Sequence, residues 1–146
     1  MEDSYSIQIE GKEFKILDTA GEEDYQNMLD PWISSAKGFI LVYAINDTES
    51  FEDLKKKIKR IEKNDAINLP ILIVGNKCDL ENQRTVNEQN GMNLAKSIGA
   101  KFYETSALND VNKNVRKVFD ECGKMILSRA GGNVDGKGKC LGCEIF

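Results

Sequence analysis

The chain has 146 residues, of which 40% are hydrophobic and 30% charged, a composition that builds one domain with a core and excludes a disordered polymer. Its 20 basic and 24 acidic residues leave a net charge of −4, which argues against a general nucleic-acid binder. Histidine is absent, which removes His-based acid–base catalysis, Ser–His–Asp triads and His metal ligands together. No apolar run approaches the roughly 18 residues of a membrane-spanning helix. The opening Met1-Glu2-Asp3-Ser4-Tyr5 is polar and acidic, unlike a secretory signal.

Along the chain, Ser4–Glu10 alternates, with Tyr5, Ile7 and Ile9 on one side, and predicts a strand. Gly11-Lys12 makes a tight turn, and Phe14–Leu17 forms a second strand. Directly after it stand Asp18-Thr19-Ala20-Gly21. An aspartate at a strand end can hold magnesium, often through water, beside phosphate oxygens. A glycine next to it lets a backbone N–H approach a terminal phosphate. On spacing alone, D-x-x-G also suits an ordinary turn.

Gly38–Ile45 is an almost unbroken apolar run, as expected of a parallel strand buried on both faces. Phe51, Leu54, Ile58 and Ile61 recur at helical spacing, with Thr48 or Ser50 available as the cap. Ile71–Gly75 reads as another buried strand, and Asn76-Lys77-Cys78-Asp79 follows it. A carboxylate such as Asp79 matches two adjacent donors, for example the ring N–H and exocyclic amine of guanine. Adenine would leave it unpaired, so discrimination of roughly 10⁴-fold is within reach. The Lys77 stem can lie over a base face. The bland alternative is a charged connecting loop.

Val86–Ile98 predicts a weaker helix, interrupted by Gly91 and stopped by Gly99, and Lys101–Glu104 a short strand. After that strand, the small residues of Glu104-Thr105-Ser106-Ala107 would let a backbone N–H reach a carbonyl on the same base. Val111, Val115, Val118, Phe119, Cys122 and Ile126 mark a last amphipathic helix. Alternating strands and helices predict an α/β fold with a largely parallel sheet and helices on both faces. Ligands of such folds bind at the carboxyl ends of strands, where the three loops stand.

Glycines crowd into 131–146, so the sequence divides into a domain over 1–130 and a flexible tail over 131–146. Cysteines at 78, 122, 140 and 143 do not resemble a secreted disulfide framework and fit a reducing compartment. Cys140-Leu141-Gly142-Cys143 lacks the strand–helix turn of a redox pair and the further ligands of a zinc site. Cys143-Glu144-Ile145-Phe146 fits the C-a-a-X prenylation pattern, with terminal Phe leaning towards geranylgeranyl and Cys140 as a second, palmitoylated position. Two such anchors would hold a membrane stably where one would not.

In this order, the three loops closely resemble those of the Ras-type small GTPases, and the likeness runs from about Glu2 to the last residue. Leu17 before Asp18 is similar to the Ras branch. The resemblance implies a P-loop-NTPase-like sheet and a GTP-binding, GTP-hydrolysing switch in membrane-associated signalling. It implies that Asn76, Lys77 and Asp79 hold guanine and that Ser106-Ala107 brings an N–H to its carbonyl oxygen. Asp18 would lie near magnesium, mostly through water, and Gly21 near the γ-phosphate. Glu22 stands where the family usually has the glutamine that orients the attacking water. The segment from Gly21 to Trp32 would be the second switch, and Glu2, Asp3, Ser4 and Tyr5 are similar to the end of the effector loop. Leu108 departs from the usual lysine of the base pocket. The implied partners are GTP or GDP, Mg²⁺, effectors, exchange factors and GTPase-activating proteins. The implied location is the cytoplasmic face of a membrane, the plasma membrane first.

The resemblance also implies an N-terminal truncation, with the first strand, P-loop, first helix and most of the first switch missing. Gly131 to Lys137 matches G-x-x-x-x-G-K, but Gly138 follows it and no strand precedes it, so it is no phosphate cradle. In the family's sheet the first strand lies between those read here as Phe14–Leu17 and Gly38–Ile45. Without it, facing edges lose their partners, and the chain is expected to be unstable or rearranged unless the sheet re-pairs. Alternative readings are a non-catalytic, lipid-anchored interaction module and a non-functional gene remnant.

Overall fold

A computed structural model describes residues 3–9, 11–18, 36–77, 82–105, 112–129 and 141–145. Strands β1 (Asp3–Ile9) and β2 (Lys12–Asp18) form an antiparallel hairpin around Gly11, whose φ of 77° is easy only for glycine. Strands β3 (Gly38–Ala44), β4 (Ile71–Asn76) and β5 (Lys101–Glu104) follow. They alternate with helices α1 (Thr48–Lys63), α2 (Glu88–Ser97) and α3 (Asn112–Arg129). A last strand, β6, runs over Leu141–Ile145. The sheet order is β1-β2-β6-β3-β4-β5, and every pairing but the first hairpin is parallel.

The buried runs work in both directions because the sheet is covered on both faces. Phe39, Leu41 and Tyr43 of β3 and Ile71 and Ile73 of β4 join Phe51, Leu54, Ile58 and Ile61 of α1 and Ala95 of α2 in one core. Their neighbours Ile40, Leu72 and Val74 face the other way, onto Val118, Cys122 and Ile126 of α3. Arg116 of α3 donates to the Gln8 carbonyl (2.9 Å) and ties that helix to the outer strand.

The expected caps need one correction. Asp47, not Thr48 or Ser50, caps α1, accepting from the Ser50 N–H at 3.3 Å. The Ser50 hydroxyl instead donates to the Asp47 carbonyl (2.7 Å) and accepts from the Ala44 N–H (3.0 Å). Ser50 thus joins the helix start to the end of β3. Gly91, read as an interruption of α2, lies inside the helix and is buried. A Cβ there would overlap the Tyr43 hydroxyl and the Phe102 ring, so glycine lets α2 approach the sheet. Gly99 takes a φ of 71° just past the helix, as its stopping role requires.

The larger difference lies at the carboxyl end. Leu141–Ile145, expected within a flexible tail, forms a strand in the middle of the sheet. Its register runs from Phe14↔Leu141 to Asp18↔Ile145 on one side and from Gly38↔Cys143 to Ile40↔Ile145 on the other. It therefore sits between β2 and β3, where the sequence predicted unpaired edges. The reason is the backbone: two parallel edges with free N–H and C=O groups take up an extended segment whatever its glycine content. The remainder of the expected tail, 131–140 and Phe146, lies outside the described residues.

Candidate functional site

The parallel register aligns the ends of β3, β4 and β5 on one edge, Ala44 opposite Asn76 and Gly75 opposite Glu104. Asp18 ends β2 on the carboxyl side as well, but in register with Ile145 and so with Ile40, four residues short of the Ala44 end of β3. The loops after β4 and β5 leave from the shared edge.

Asn76 is the last residue of β4 and is half-buried. Its Oδ1 accepts a hydrogen bond of 3.2 Å from the Thr105 hydroxyl, and the Thr105 N–H donates to the Gly75 carbonyl at 2.8 Å. Thr105 is only 3% exposed, so this pair of bonds joins the two loops through a buried residue. The Asn76 carbonyl in turn accepts from the Ile45 N–H (3.0 Å), which connects the exit of β3. The next residue, Lys77, has a φ of 66°. That left-handed conformation, unusual for a side chain of this size, turns the backbone out of the strand and leaves Lys77 exposed.

A second set of bonds braces this edge from behind. Arg84 forks onto Glu104 with two bonds of 2.8 Å and also donates to the Val86 carbonyl (3.0 Å). The two side chains are 16% and 15% exposed. Thr85 and Val86 donate backbone N–H groups to the Ile45 carbonyl at 2.9 and 3.0 Å. Glu104 therefore fixes the end of β5, and 84–86 fix the exit of β3. The sequence alone marks Glu104 only as the end of a short strand and the start of a loop. Its signal is a carboxylate at the end of a half-buried strand, which calls for a partner.

Among the described residues, two buried polar atoms near this edge have no hydrogen-bond partner: the Tyr43 hydroxyl and, two residues beyond β3, the Asn46 Oδ1. The Asn76 carboxamide is held through its oxygen, and Lys77 is exposed. Asp79, Ser106, Ala107, Gly21, Glu22, Glu2 and Cys140 lie outside the described residues, and Asp18, Asp3, Ser4, Tyr5 and Cys143 are placed by backbone alone. The structure thus brings together Asn76, Lys77 and Thr105, while Asp18 ends β2 in register with Ile40, short of that edge. Among the described residues no helix is long and apolar enough to cross a membrane.

Residues 2–128 match the model of the Ras family. The chain is 38% identical to the Ras-like protein rasB of Dictyostelium discoideum, over 90% of this chain and 74% of the relative. It is 36% identical to the Ras-related protein Rab-13 of Canis lupus familiaris, over 90% of this chain and 64% of the relative. It is 38% identical to Ras-like protein 1 of Saccharomyces cerevisiae, over 85% of this chain and 44% of the relative. The chain thus spans between 44% and 74% of the length of these curated relatives.

Proposed function

Because the chain belongs to the Ras family of small GTPases, we propose that it recognises guanine nucleotides at the carboxyl edge of β4 and β5, as part of a GTP-dependent signalling switch of the Ras branch. The observation that carries this reading is the Thr105–Asn76 hydrogen bond, which joins the N-K-x-D loop to the loop containing Ser106 and Ala107. In this reading the Asp79 carboxylate accepts both N–H groups of the guanine edge. Asn76, held by Thr105, keeps the loop in register, the Lys77 stem covers the base face, and the Ala107 N–H donates to the guanine carbonyl. Glu104 and Arg84 hold the platform still.

At the phosphate end, Gly21 offers a backbone N–H and Glu22 accepts from the attacking water. Glu22 also adds negative charge beside a polyanion, which opposes the reaction. Magnesium, bound near Asp18, would neutralise phosphate charge. Glu2, Asp3, Ser4 and Tyr5 form the effector-facing segment, and the segment from Gly21 to Trp32 answers to the nucleotide. Exchange factors and GTPase-activating proteins are the expected regulators. Cys143, with Cys140 as a second position, carries the lipid that holds the chain at the cytoplasmic face of the plasma membrane.

A second reading keeps guanine contact without hydrolysis. It is favoured by one sequence fact: Glu22 puts a further negative charge where the family usually has the glutamine that orients the attacking water. Titration of the purified chain with a fluorescent GDP, competed by unlabelled GDP and by ADP, tests base recognition common to both. GDP should compete at least about 100-fold better than ADP, and Asp79→Ala should abolish the preference. Equal competition by the two nucleotides would remove both readings. Phosphate release from bound GTP then separates them.

A further inference from the structure

Helix α1 carries its charges in two blocks rather than interleaved. With Phe51, Leu54, Ile58 and Ile61 buried in the core, the opposite face holds Glu49, Glu52 and Asp53 in its first half and Lys56, Lys59, Arg60 and Lys63 in its second. The four cations stand at i, i+3, i+4 and i+7, so they form one outward row about 10 Å long. Lys56 is 73% exposed and lies 3.7 Å from Asp53, and Lys59 and Lys63 are exposed. Within the row, Lys56–Lys59, Lys56–Arg60, Lys59–Lys63 and Arg60–Lys63 are like-charge neighbours, each of which weakens the helix. The helix dipole favours Arg60 and Lys63, in the last turn, but not Lys56 or Lys59. A row that opposes its own helix, in a chain of net charge −4, points to an anionic partner.

We propose that this row is a docking surface for an anionic lipid bilayer. Its outward positions hold no aromatic or aliphatic side chain, and among the described residues the exposed large hydrophobic is Met92, on α2. A protein interface is built around an apolar centre and a single-stranded nucleic-acid site around stacking aromatics, whereas a plane of headgroups needs only cations aligned on one face. The acidic first half of α1 is repelled by the same plane, so contact is made through the C-terminal half. Because α1 joins two parallel strands, that half lies by the start of β4, across the sheet from Asn76 and Thr105. Docking through it turns the carboxyl edge of the sheet away from the bilayer and leaves the candidate nucleotide site open to the aqueous side. The docking itself rests on neither the guanine nor the C-a-a-X reading.

The test is flotation of the purified full chain, without lipid modification, on vesicles of phosphatidylcholine alone or with about 30 mol% phosphatidylserine. Each cation held at such a surface favours binding about fivefold. At low salt the chain should therefore partition onto the phosphatidylserine vesicles at least about 100-fold better than onto phosphatidylcholine, and the preference should collapse at about 0.5 M salt. Lys59→Gln with Lys63→Gln removes two cations and should weaken the partition by about 10–30-fold, with the helix still seen by circular dichroism. Lys59→Arg with Lys63→Arg keeps the charge and should retain the partition. Equal partition onto the two kinds of vesicle would overturn the proposal. So would a phosphatidylserine preference that the glutamine variant leaves unchanged or that the arginine variant loses. Release from the vesicles by an equal charge of polyglutamate or duplex DNA would assign the row to an acidic macromolecule instead and would also overturn it.

Discussion

Replacing Tyr43 by phenylalanine is expected to stabilise the domain. The Tyr43 side chain is 2% exposed, and its hydroxyl is buried with no hydrogen-bond partner among the described residues. It is wedged against glycine backbone: a Cβ built on Gly75 would lie 2.9 Å from it. An unsatisfied buried hydroxyl costs about 1–3 kcal/mol, and the dispersion attraction of a single oxygen atom offsets only a fraction of that. The ring itself keeps its edge-on packing against Phe51, with centroids 4.8 Å apart. The expected gain for Tyr43→Phe is therefore about 1–2 kcal/mol, or about 3–6 °C in Tm for a domain of this size. Titration sharpens the test. Burial, with Glu104 adding to it, pushes the Tyr43 hydroxyl up to about 12 from the ordinary 10.0. Between those values the folded chain keeps a proton that the unfolded chain has lost. The wild type's stability is therefore whole below pH 10 and falls by about 1.4 kcal/mol per pH unit as the pH rises towards 12. The variant lacks this fall, so its advantage should widen across that window. Urea unfolding followed by circular dichroism, at neutral pH and above pH 10, measures both effects. A loss of about 1 kcal/mol or more at neutral pH would refute the reasoning, because it would mean that the hydroxyl has a partner in the folded chain.

Substitutions at Gly91, Arg84, Glu104 and Thr105 probe the platform and its supports. Gly91→Ala should destabilise by about 1–3 kcal/mol in urea melts, because its Cβ would meet Tyr43 and Phe102 and overpacking outweighs the gain in helix propensity. Arg84→Ala should cost about 2–4 kcal/mol by the same measurement, since it strands a Glu104 carboxylate that is only 15% exposed. Arg84→Met combined with Glu104→Leu should recover much of that loss. Thr105→Val should cost about 1 kcal/mol in stability and weaken GDP binding about tenfold in the fluorescence titration, while Thr105→Ser retains both.

Most of the architecture was legible because its strands and helices carry their own periodicities. Gly38–Ile45 and Ile71–Gly75 read as strands buried on both faces, and β3 and β4 lie there with cores on both sides. The α1 face of Phe51, Leu54, Ile58 and Ile61 needed only its spacing. What failed was non-local. The β6 segment has no strand signal of its own, since Gly142 and Glu144 argue against one, and only the two edges beside it explain its conformation. Gly91 looked like a helix defect because the Tyr43 and Phe102 groups that require it lie elsewhere in the sequence. At the site, the position of Asn76 at a strand end followed from the run before it. The Thr105 hydroxyl and the Arg84–Glu104 fork depend on which strands are neighbours, and one-dimensional spacing does not contain that.

Backbone amide NMR spectra of the isotopically labelled chain, recorded while GDP is added and then repeated with ADP, address guanine recognition residue by residue. The expected result is a set of saturating shifts at Asn76, Lys77, Asp79, Thr105, Ser106 and Ala107 with GDP, and none of comparable size with ADP. Shifts absent from these residues, or equal for the two nucleotides, would contradict a guanine site at the carboxyl edge of β4 and β5.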